Sequence, residues 1–391
     1  MESLKTKDAF LEGKNIALAL SGGIDSIVLL HYLHSYYPNH IRAIHCNHHL
    51  SEYCNDWHLF CQNVCNTLNI PYSNINLNIE NSKNIEENAR KSRYHSLSCN
   101  LLDNEVLCTA HHQQDQAETL LLQLFRGAGS AGLASMPREK PLGKGSHYRP
   151  MLDISKVQII DYAKTHKLDW IEDDSNKNIN FRRNFLRLEI IPKLSTVYKN
   201  LAKTLSRSAK HQSEALKLTR ELADIDLQAN NIINDSGRLN IDELIKLETH
   251  RIKNILRHHL SLMDFLAPSD KIMNQIIDLL HAKQDAKPLV QWNEFEIRRY
   301  QQELYFINNN QDNTQQKCPI QSDFENLPNF SIRYRTEGQR IKLPGKTHSQ
   351  PLKKVLQEAG IPPWERNSLK MYYIGDELRA MERLGHVENG E

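Results

Sequence analysis

The chain has 391 residues, 39% of them hydrophobic and 25% charged, with a formal net charge of only +2. That length predicts two or three domains, and no run approaches the roughly 20 apolar residues of a membrane span. Seven cysteines without paired spacing predict reduced thiols in a cytoplasm and exclude a disulfide framework. The N-terminus MESLKTKDAFLEGK is polar and carries acids, which is expected of neither a secretory signal nor a transit peptide.

In chain order, strand signals at 15–20, 42–47, 72–77 and 105–110 alternate with amphipathic helices near 26–37, 56–68, 84–101 and 115–126. This alternation predicts an α/β domain, a doubly wound parallel sheet with helices on both faces. Cys61 and Cys65 fall in phase with Trp57 and Leu68, a buried helix face; a zinc site there would need a second ligand pair. A further helix near 155–166 and the run 168–171 extend the same unit. Beyond Asn184 long helical patterns take over, at 185–194, 198–231, 241–260 and 269–282, followed by a hairpin of 289–299 and 303–307 around Gln301-Gln302. An Asn/Gln-rich linker then leads into a small α/β domain. The expected division is 1–190 catalytic, 191–307 mainly helical, 308–322 linker and 323–391 C-terminal.

The strongest local signal is Ser21-Gly22-Gly23-Ile24-Asp25-Ser26, directly after the first strand and before the first helix. Glycines let the backbone approach a phosphate, successive N–H groups converge on it, and the helix dipole favours its charge. Ser21 and Ser26 add hydroxyls. No Gly-Lys-Ser/Thr follows, so this is not a Walker A loop, and a dinucleotide fingerprint would need a third glycine. Asp25 would repel a bare phosphate; it makes sense as a partner of Mg²⁺ bridging to the nucleotide. The loop resembles that of the PP-loop ATP pyrophosphatase superfamily, which implies cleavage of ATP between the α and β phosphates to adenylate a substrate oxygen.

Three further motifs narrow the resemblance. His45-Cys46-Asn47-His48-His49-Leu50-Ser51 ends the second strand, where histidines are placed to approach a nucleotide. His111-His112-Gln113-Gln114-Asp115-Gln116-Ala117-Glu118 opens a helix, with Asp115 and Glu118 on one face. Glu172-Asp173-Asp174-Ser175-Asn176 precedes Phe181-Arg182-Arg183-Asn184-Phe185-Leu186-Arg187. With Phe295-Glu296-Ile297-Arg298-Arg299-Tyr300 and the tail from Leu352-Lys353-Lys354 to Ile361-Pro362-Pro363-Trp364, the set resembles the tRNA(Ile)-lysidine synthetase family in its longer form.

That resemblance implies ATP-dependent ligation of free lysine to C2 of the wobble cytidine of an isoleucine tRNA with a CAU anticodon. By motif position, Ser21, Gly22, Gly23, Ile24, Asp25 and Ser26 would hold ATP, with Asp25 near Mg²⁺. Asp115, Glu118, Arg90 and Arg93 would bind the lysine. Asp25 and Asp115 are the catalytic candidates, and whether Asp115 is base or binder stays open. The sequence departs from the family at Gln114 and Asn178, where acids are usual. The rival readings are a PP-loop tRNA thiolase, which would need a C-x-x-C pair that the chain lacks, and a non-catalytic RNA-binding relative.

RNA would have to be held by local charge. Residues 193–220 carry seven Lys/Arg and one acid, and residues 333–366 carry eight against three. Lys199, Lys203, Arg207 and Lys210 recur at helical spacing, and Arg183, Arg340, Lys353 and Lys354 complete the predicted tRNA contacts. The basic segment 137–145, rich in Gly and Pro, is expected to be a mobile cover over the anticodon. Oligomeric state is left open, a homodimer being one option.

Overall fold

The computed structural model describes residues 4, 6–47, 53–77, 85–172, 178–229, 231–282, 288–310, 321, 323–346 and 348–389. They form two compact units, Met1–Thr219 and Arg220–Glu391.

The first unit is built on a six-stranded sheet in the order β3-β2-β1-β4-β6-β5. In chain order its elements are β1 (Ile16–Ala19), α1 (Ile24–Tyr36), β2 (Ile41–Asn47), α2 (Cys54–Thr67), β3 (Tyr72–Asn76), α3 (Ile85–Cys99), β4 (Val106–Cys108), α4 (Gln113–Leu124), α5 (Ser130–Leu133), β5 (Glu139–Leu142), β6 (Gly145–Tyr148) and α6 (Lys156–Thr165). All strand pairs are parallel except β5–β6. Side chains alternate across the sheet. Ile16, Leu18, Val106 and Cys108 face a core shared with α1, α2 and α6, while Ala17, Ile44 and Leu107 pack on Leu97 and Leu101 around α3. Cys61 and Cys65 are fully buried in the first of these cores, as their phase predicts.

The chain runs β1→β2→β3 toward one edge, then returns to place β4 on the other side of β1. The crevice between the carboxyl ends of β1 and β4 is therefore a topological switch point, the usual ligand position in such sheets.

The run 168–171 extends the unit without forming a strand: Leu168 and Trp170 pack on the first core, and the Ile171 N–H bonds the Gly22 carbonyl at 3.0 Å. One expectation fails here. The expected mobile cover at 137–145 is the β5–β6 hairpin, pinned to the sheet by β6 beside β4. Pro141 is tolerated because β5 is an edge strand. At Gly145 a Cβ would stand 2.0 Å from the Glu105 carbonyl oxygen, so only glycine fits.

Short helical pieces follow: α7 (Arg182–Phe185), a π-helical turn (Leu186–Ile190), α8 (Ile191–Val197) and the long α9 (Leu201–Ala229). Leu186 and Ile191 pack with Leu121 of α4, so this segment is fixed to the sheet domain. The sequence boundary at 190/191 falls inside that packing. The break at Tyr198–Asn200, where Asn200 has φ +58°, also corrects the basic stripe: Lys199 precedes α9, and only Lys203, Arg207 and Lys210 lie on it.

In the second unit, β7 (Leu239–Asn240), α10 (Ile241–Leu244), α11 (Thr249–Leu262), α12 (Asp270–Leu280), β8 (Leu289–Trp292), β9 (Phe295–Tyr300) and β10 (Glu303–Asn308) share one core around Ile255, Leu256, Ile276 and Ile297. The helix expected over 241–260 is broken before Glu248, an extended N-cap residue, and the single strand expected over 289–299 turns at Asn293, φ +50°. The remaining elements are β11 (Phe330–Arg333), β12 (Arg340–Lys342), β13 (Gln350–Pro351), α13 (Leu352–Glu358), β14 (Met371–Ile374), β15 (Glu377–Met381), β16 (Gly385–His386) and β17 (Glu388–Asn389). They make two small sheets over a core of Ile341, Leu356 and Met371. Trp364 stands edge-on to Tyr300 and Tyr305 at 6.0 and 5.3 Å, with the Arg298 guanidinium 5.0 Å from its ring. The motifs around β9 and Trp364 thus meet as a structural joint.

Candidate active site

The chain leaves β1 and turns through 21–26 into α1. Gly22 has φ +86°, a conformation open to glycine, and a Cβ there would meet Ile171 Cδ1 at 2.9 Å and Cys61 Sγ at 3.2 Å. Ser26 closes the loop from within. Its hydroxyl accepts from the N–H groups of Ser21 and Gly22 at 3.3 and 3.1 Å and donates to the Gly23 carbonyl at 2.9 Å. Ser21 remains exposed and donates to Ser26 Oγ at 3.1 Å. Gly23 caps α1 without a side-chain hydrogen bond, so the helix starts on bare amides at its positive dipole end, which suits an anion.

Asp25 lies in the first turn of α1. Its Oδ1 accepts from Lys156 Nζ at 2.6 Å and lies 3.6 Å from His112 Nε2; its Oδ2 takes no partner among the described residues. His112 is the N-cap of α4. Its Nδ1 accepts the Gln114 N–H at 3.2 Å, which puts the proton of the neutral ring on Nε2. That nitrogen stands 3.6 Å from Asp115 Oδ2 as well, and Asp115 accepts the His112 N–H at 2.9 Å to complete a capping box.

Asp115 and Glu118 face not an open socket but two guanidiniums. Arg183 donates from Nε to Glu118 Oε2 at 2.7 Å and from Nη2 to Asp115 Oδ1 at 2.9 Å. Arg187, on the π-helical turn, donates from Nε to Glu118 Oε1 at 2.7 Å and from Nη2 to Glu118 Oε2 and Asp115 Oδ1 at 2.9 and 3.1 Å. The Glu118 side chain is 0% exposed. Burial opposes ionisation of Asp115, but attraction to the His112 ring and the Arg183 guanidinium, with the His112 N–H, outweighs it and holds its carboxyl well below the usual range. Burial likewise disfavours the charged form of both arginines, and the two carboxylates reverse this.

Across the crevice, Arg90 and Arg93 of α3 and Lys140 of β5 gather around the Tyr94 ring at 5.1, 5.6 and 5.8 Å from its centroid. Burial, then the Arg149 and Arg90 charges, lower the Lys140 pKa. Arg149 follows β6 and is 3% exposed.

The fold thus brings the phosphate loop, Asp25, Asp115 and Glu118 to one edge. Arg183, expected against RNA, is turned inward because two buried carboxylates lie within its reach. Lys203, Arg207, Lys210, Lys353 and Lys354 are exposed, as is Lys199. Arg340 is exposed but bonds Ser349 through Nε and Nη2 at 3.0 and 2.7 Å. His45 is buried and its Nδ1 bonds the Leu20 carbonyl at 2.9 Å; His48 to Ser51 and Asp173 to Asn176 lie outside the described residues. Asn178 accepts the Asn180 N–H at 3.0 Å, a turn bond that an acid in its place would make equally. Sequence reasoning missed Lys156, His112 and Arg187. Arg187 had a usable signal, one helical turn beyond Arg183; Lys156, 131 residues from Asp25, had none.

Comparison with known proteins gives the family. Residues 2–194 match the PP-loop domain family, 239–305 the TilS substrate binding domain and 330–391 the TilS substrate C-terminal domain. The tRNA(Ile)-lysidine synthase of Coxiella burnetii is 37% identical over 97% of this chain and 90% of its own length. That of Legionella pneumophila (strain Paris) is 37% identical over 94% and 90%, and that of Serratia proteamaculans 32% over 97% and 93%. An ATP-binding PP-loop domain followed by both substrate-domain matches, with identity sustained along nearly the whole chain, places it in the tRNA(Ile)-lysidine synthase family.

Proposed function

We propose that the chain adenylates the C2 oxygen of the wobble cytidine in an isoleucine tRNA with a CAU anticodon, releasing pyrophosphate. The ε-amine of free lysine then attacks C2 and AMP leaves, giving lysidine and converting the tRNA from AUG to AUA reading in the cytoplasm. The observation that carries this reading is one unbroken line of contacts at the β1–β4 crevice. It runs from the loop through Asp25 and His112 to Asp115, Glu118, Arg183 and Arg187.

Residues 21–26 hold the ATP phosphates on the Gly23 amide and the α1 N-terminus, the Ser21 and Gly22 amides being turned onto Ser26. Mg²⁺ fits Asp25, whose Oδ2 is uncommitted, because this ion takes one or two carboxylates plus phosphate oxygens; when bound it neutralises charge on the departing pyrophosphate. Lys156 adds a positive charge beside Asp25. Asp115, the more accessible of the two carboxylates, holds the lysine ammonium; Glu118, fully buried between Arg183 and Arg187, keeps those guanidiniums in place beside it, and Arg90 and Arg93 take the lysine carboxylate. Asp115 is a binder in this scheme: a carboxyl held so far into its ionised form is a poor proton acceptor near neutral pH. The exposed cations of α9 and the C-terminal region hold tRNA phosphates. A thiolase reading fares badly, since burial pushes the Cys61 and Cys65 thiols up to about 12, far from thiolate chemistry.

The test combines purified protein, ATP–Mg²⁺, radiolabelled lysine and unmodified tRNA transcripts. Acid-insoluble label is expected on the isoleucine tRNA with a CAU anticodon, only when ATP is present. Label on a methionine tRNA, or on none, would sink the assignment.

A further inference from the structure

Behind the proposed lysine site runs a chain of hydrogen bonds that the reaction scheme above does not use. Arg149 Nη2 meets His147 Nδ1 at 3.2 Å, His147 Nε2 meets Thr109 Oγ1 at 2.8 Å, and Thr109 Oγ1 meets His111 Nδ1 at 2.7 Å. Thr109 and His147 stand at the carboxyl ends of the paired strands β4 and β6. His147 is 0% and Thr109 6% exposed, so bulk water does not compete for these bonds.

The direction of every bond follows from its first donor. A guanidinium has no acceptor, so Arg149 donates and His147 Nδ1 must be bare. The His147 proton is then on Nε2 and donates to Thr109. The Thr109 hydroxyl has one proton, and its remaining partner among the described residues is His111 Nδ1, which accepts it. The neutral His111 ring is left with its proton on Nε2. Buried Arg149 is suited to anchoring the line, because it also donates to the Pro137 carbonyl and is held in place by backbone.

We propose that Arg149, His147 and Thr109 are positioning residues that fix His111 as a neutral imidazole protonated on Nε2. His111 thereby enters the site as a hydrogen-bond donor and is barred from taking the proton of the incoming amine. This rests on the assignment of the crevice to lysine transfer. Charged groups around His111 are Asp115 of α4, Arg149 after β6, Arg183 of α7 and Arg90 of α3. Burial first, then the three arginines, depress its pKa to about 3 against the opposing pull of Asp115; burial and Arg149 lower His147 to about 2.

The test reads the tautomer directly in the full chain labelled with ¹⁵N-histidine. Two-bond ¹⁵N–¹H correlations distinguish protonated from bare ring nitrogens, and His111→Gln identifies the His111 signals among the 19 histidines by their loss. Wild-type His111 is expected to show a protonated Nε2 and a bare Nδ1, unchanged from about pH 6 to about pH 8. Thr109→Val should give mixed tautomers and lower kcat for lysine incorporation about tenfold, the worth of one buried hydrogen bond, with the KM for ATP within about twofold. Thr109→Ser should restore both readouts. A wild-type His111 protonated on Nδ1, or a Thr109→Val chain with unaltered tautomer and kcat, overturns the proposal. Since the tautomer is read without substrate, a chain inactive toward lysine still decides it, and unaltered incorporation in Thr109→Val removes the relay while leaving the assignment intact.

Discussion

Arg183 and Arg207 come from neighbouring basic stretches, and the fold gives them opposite surroundings. Arg183 is turned onto Asp115 and Glu118 with its side chain 23% exposed. Arg207, with Lys203 and Lys210, stands on the exposed face of α9 with no ion pair among the described residues. The difference lies in the partner elements. Arg183 sits where Leu186 and Ile191 pull the chain onto α4, whereas the apolar positions of α9 leave its cations in water. A positive residue in a basic run is therefore structural or RNA-facing according to what its apolar neighbours pack against, and changes at the two places should fail differently.

The largest effect should come from Asp25, which shares His112 with Asp115 but pairs with no guanidinium among the described residues and is 31% exposed. Asp25→Ala should cut lysine incorporation by about a thousandfold or more, the scale of removing one electrostatic interaction made in the transition state. Its unfolding midpoint should stay near wild type. A large fall in stability would move Asp25 into the buried class.

Glu118→Ala should damage both readouts. It leaves two guanidiniums against one carboxylate in a buried site, and breaking such a group costs about 3–5 kcal/mol. Urea unfolding checks this. A variant as stable as wild type would mean that water enters the network freely, and the contrast with α9 would collapse.

The same network gives a signed pH dependence. The folded pKa of Asp115 is depressed, so its stabilisation is complete above the unfolded carboxylate value of about 3.9 and is lost as pH falls below that toward the folded value. About 2 kcal/mol should disappear on acidification through this window, and Asp115→Asn should flatten that part of the curve. The α9 lysines predict no such acid limb.

How much of this was legible follows the range of the interactions. Four of the five parallel strands and the loop were readable because apolar runs and glycines are local signals. The carboxylate pair Asp115–Glu118 is visible as a spacing, whereas the capping box that ties His112 to Asp115 emerges only in the structure. The β5–β6 hairpin was misread because Pro141 and Gly143 usually punctuate loops; what makes them a hairpin is an edge position and the closeness of Gly145 to Glu105, neither of which is local. Lys199 joined the stripe on the assumption of an unbroken helix, which Asn200 interrupts. The Asp25–Lys156 pair and the pairing of Arg183 and Arg187 with Asp115 and Glu118 depend on tertiary closure over long separations, and periodicity does not encode them.

The smallest effect should belong to α9, and it is the most specific in form. Lys203→Ala, Arg207→Ala and Lys210→Ala combined should leave stability within about 0.5 kcal/mol, as for surface changes generally, and should leave kcat near wild type once tRNA saturates. Affinity for tRNA should fall, and the slope of log affinity against log salt should flatten by about one for each phosphate no longer neutralised, up to about three. Arg183→Ala in the same assay should change stability and kcat with little change in that slope. If the α9 triple variant leaves the slope untouched, its cations are a solvated helix face, and the tRNA must be held by charges elsewhere, Lys353 and Lys354 being the next to remove.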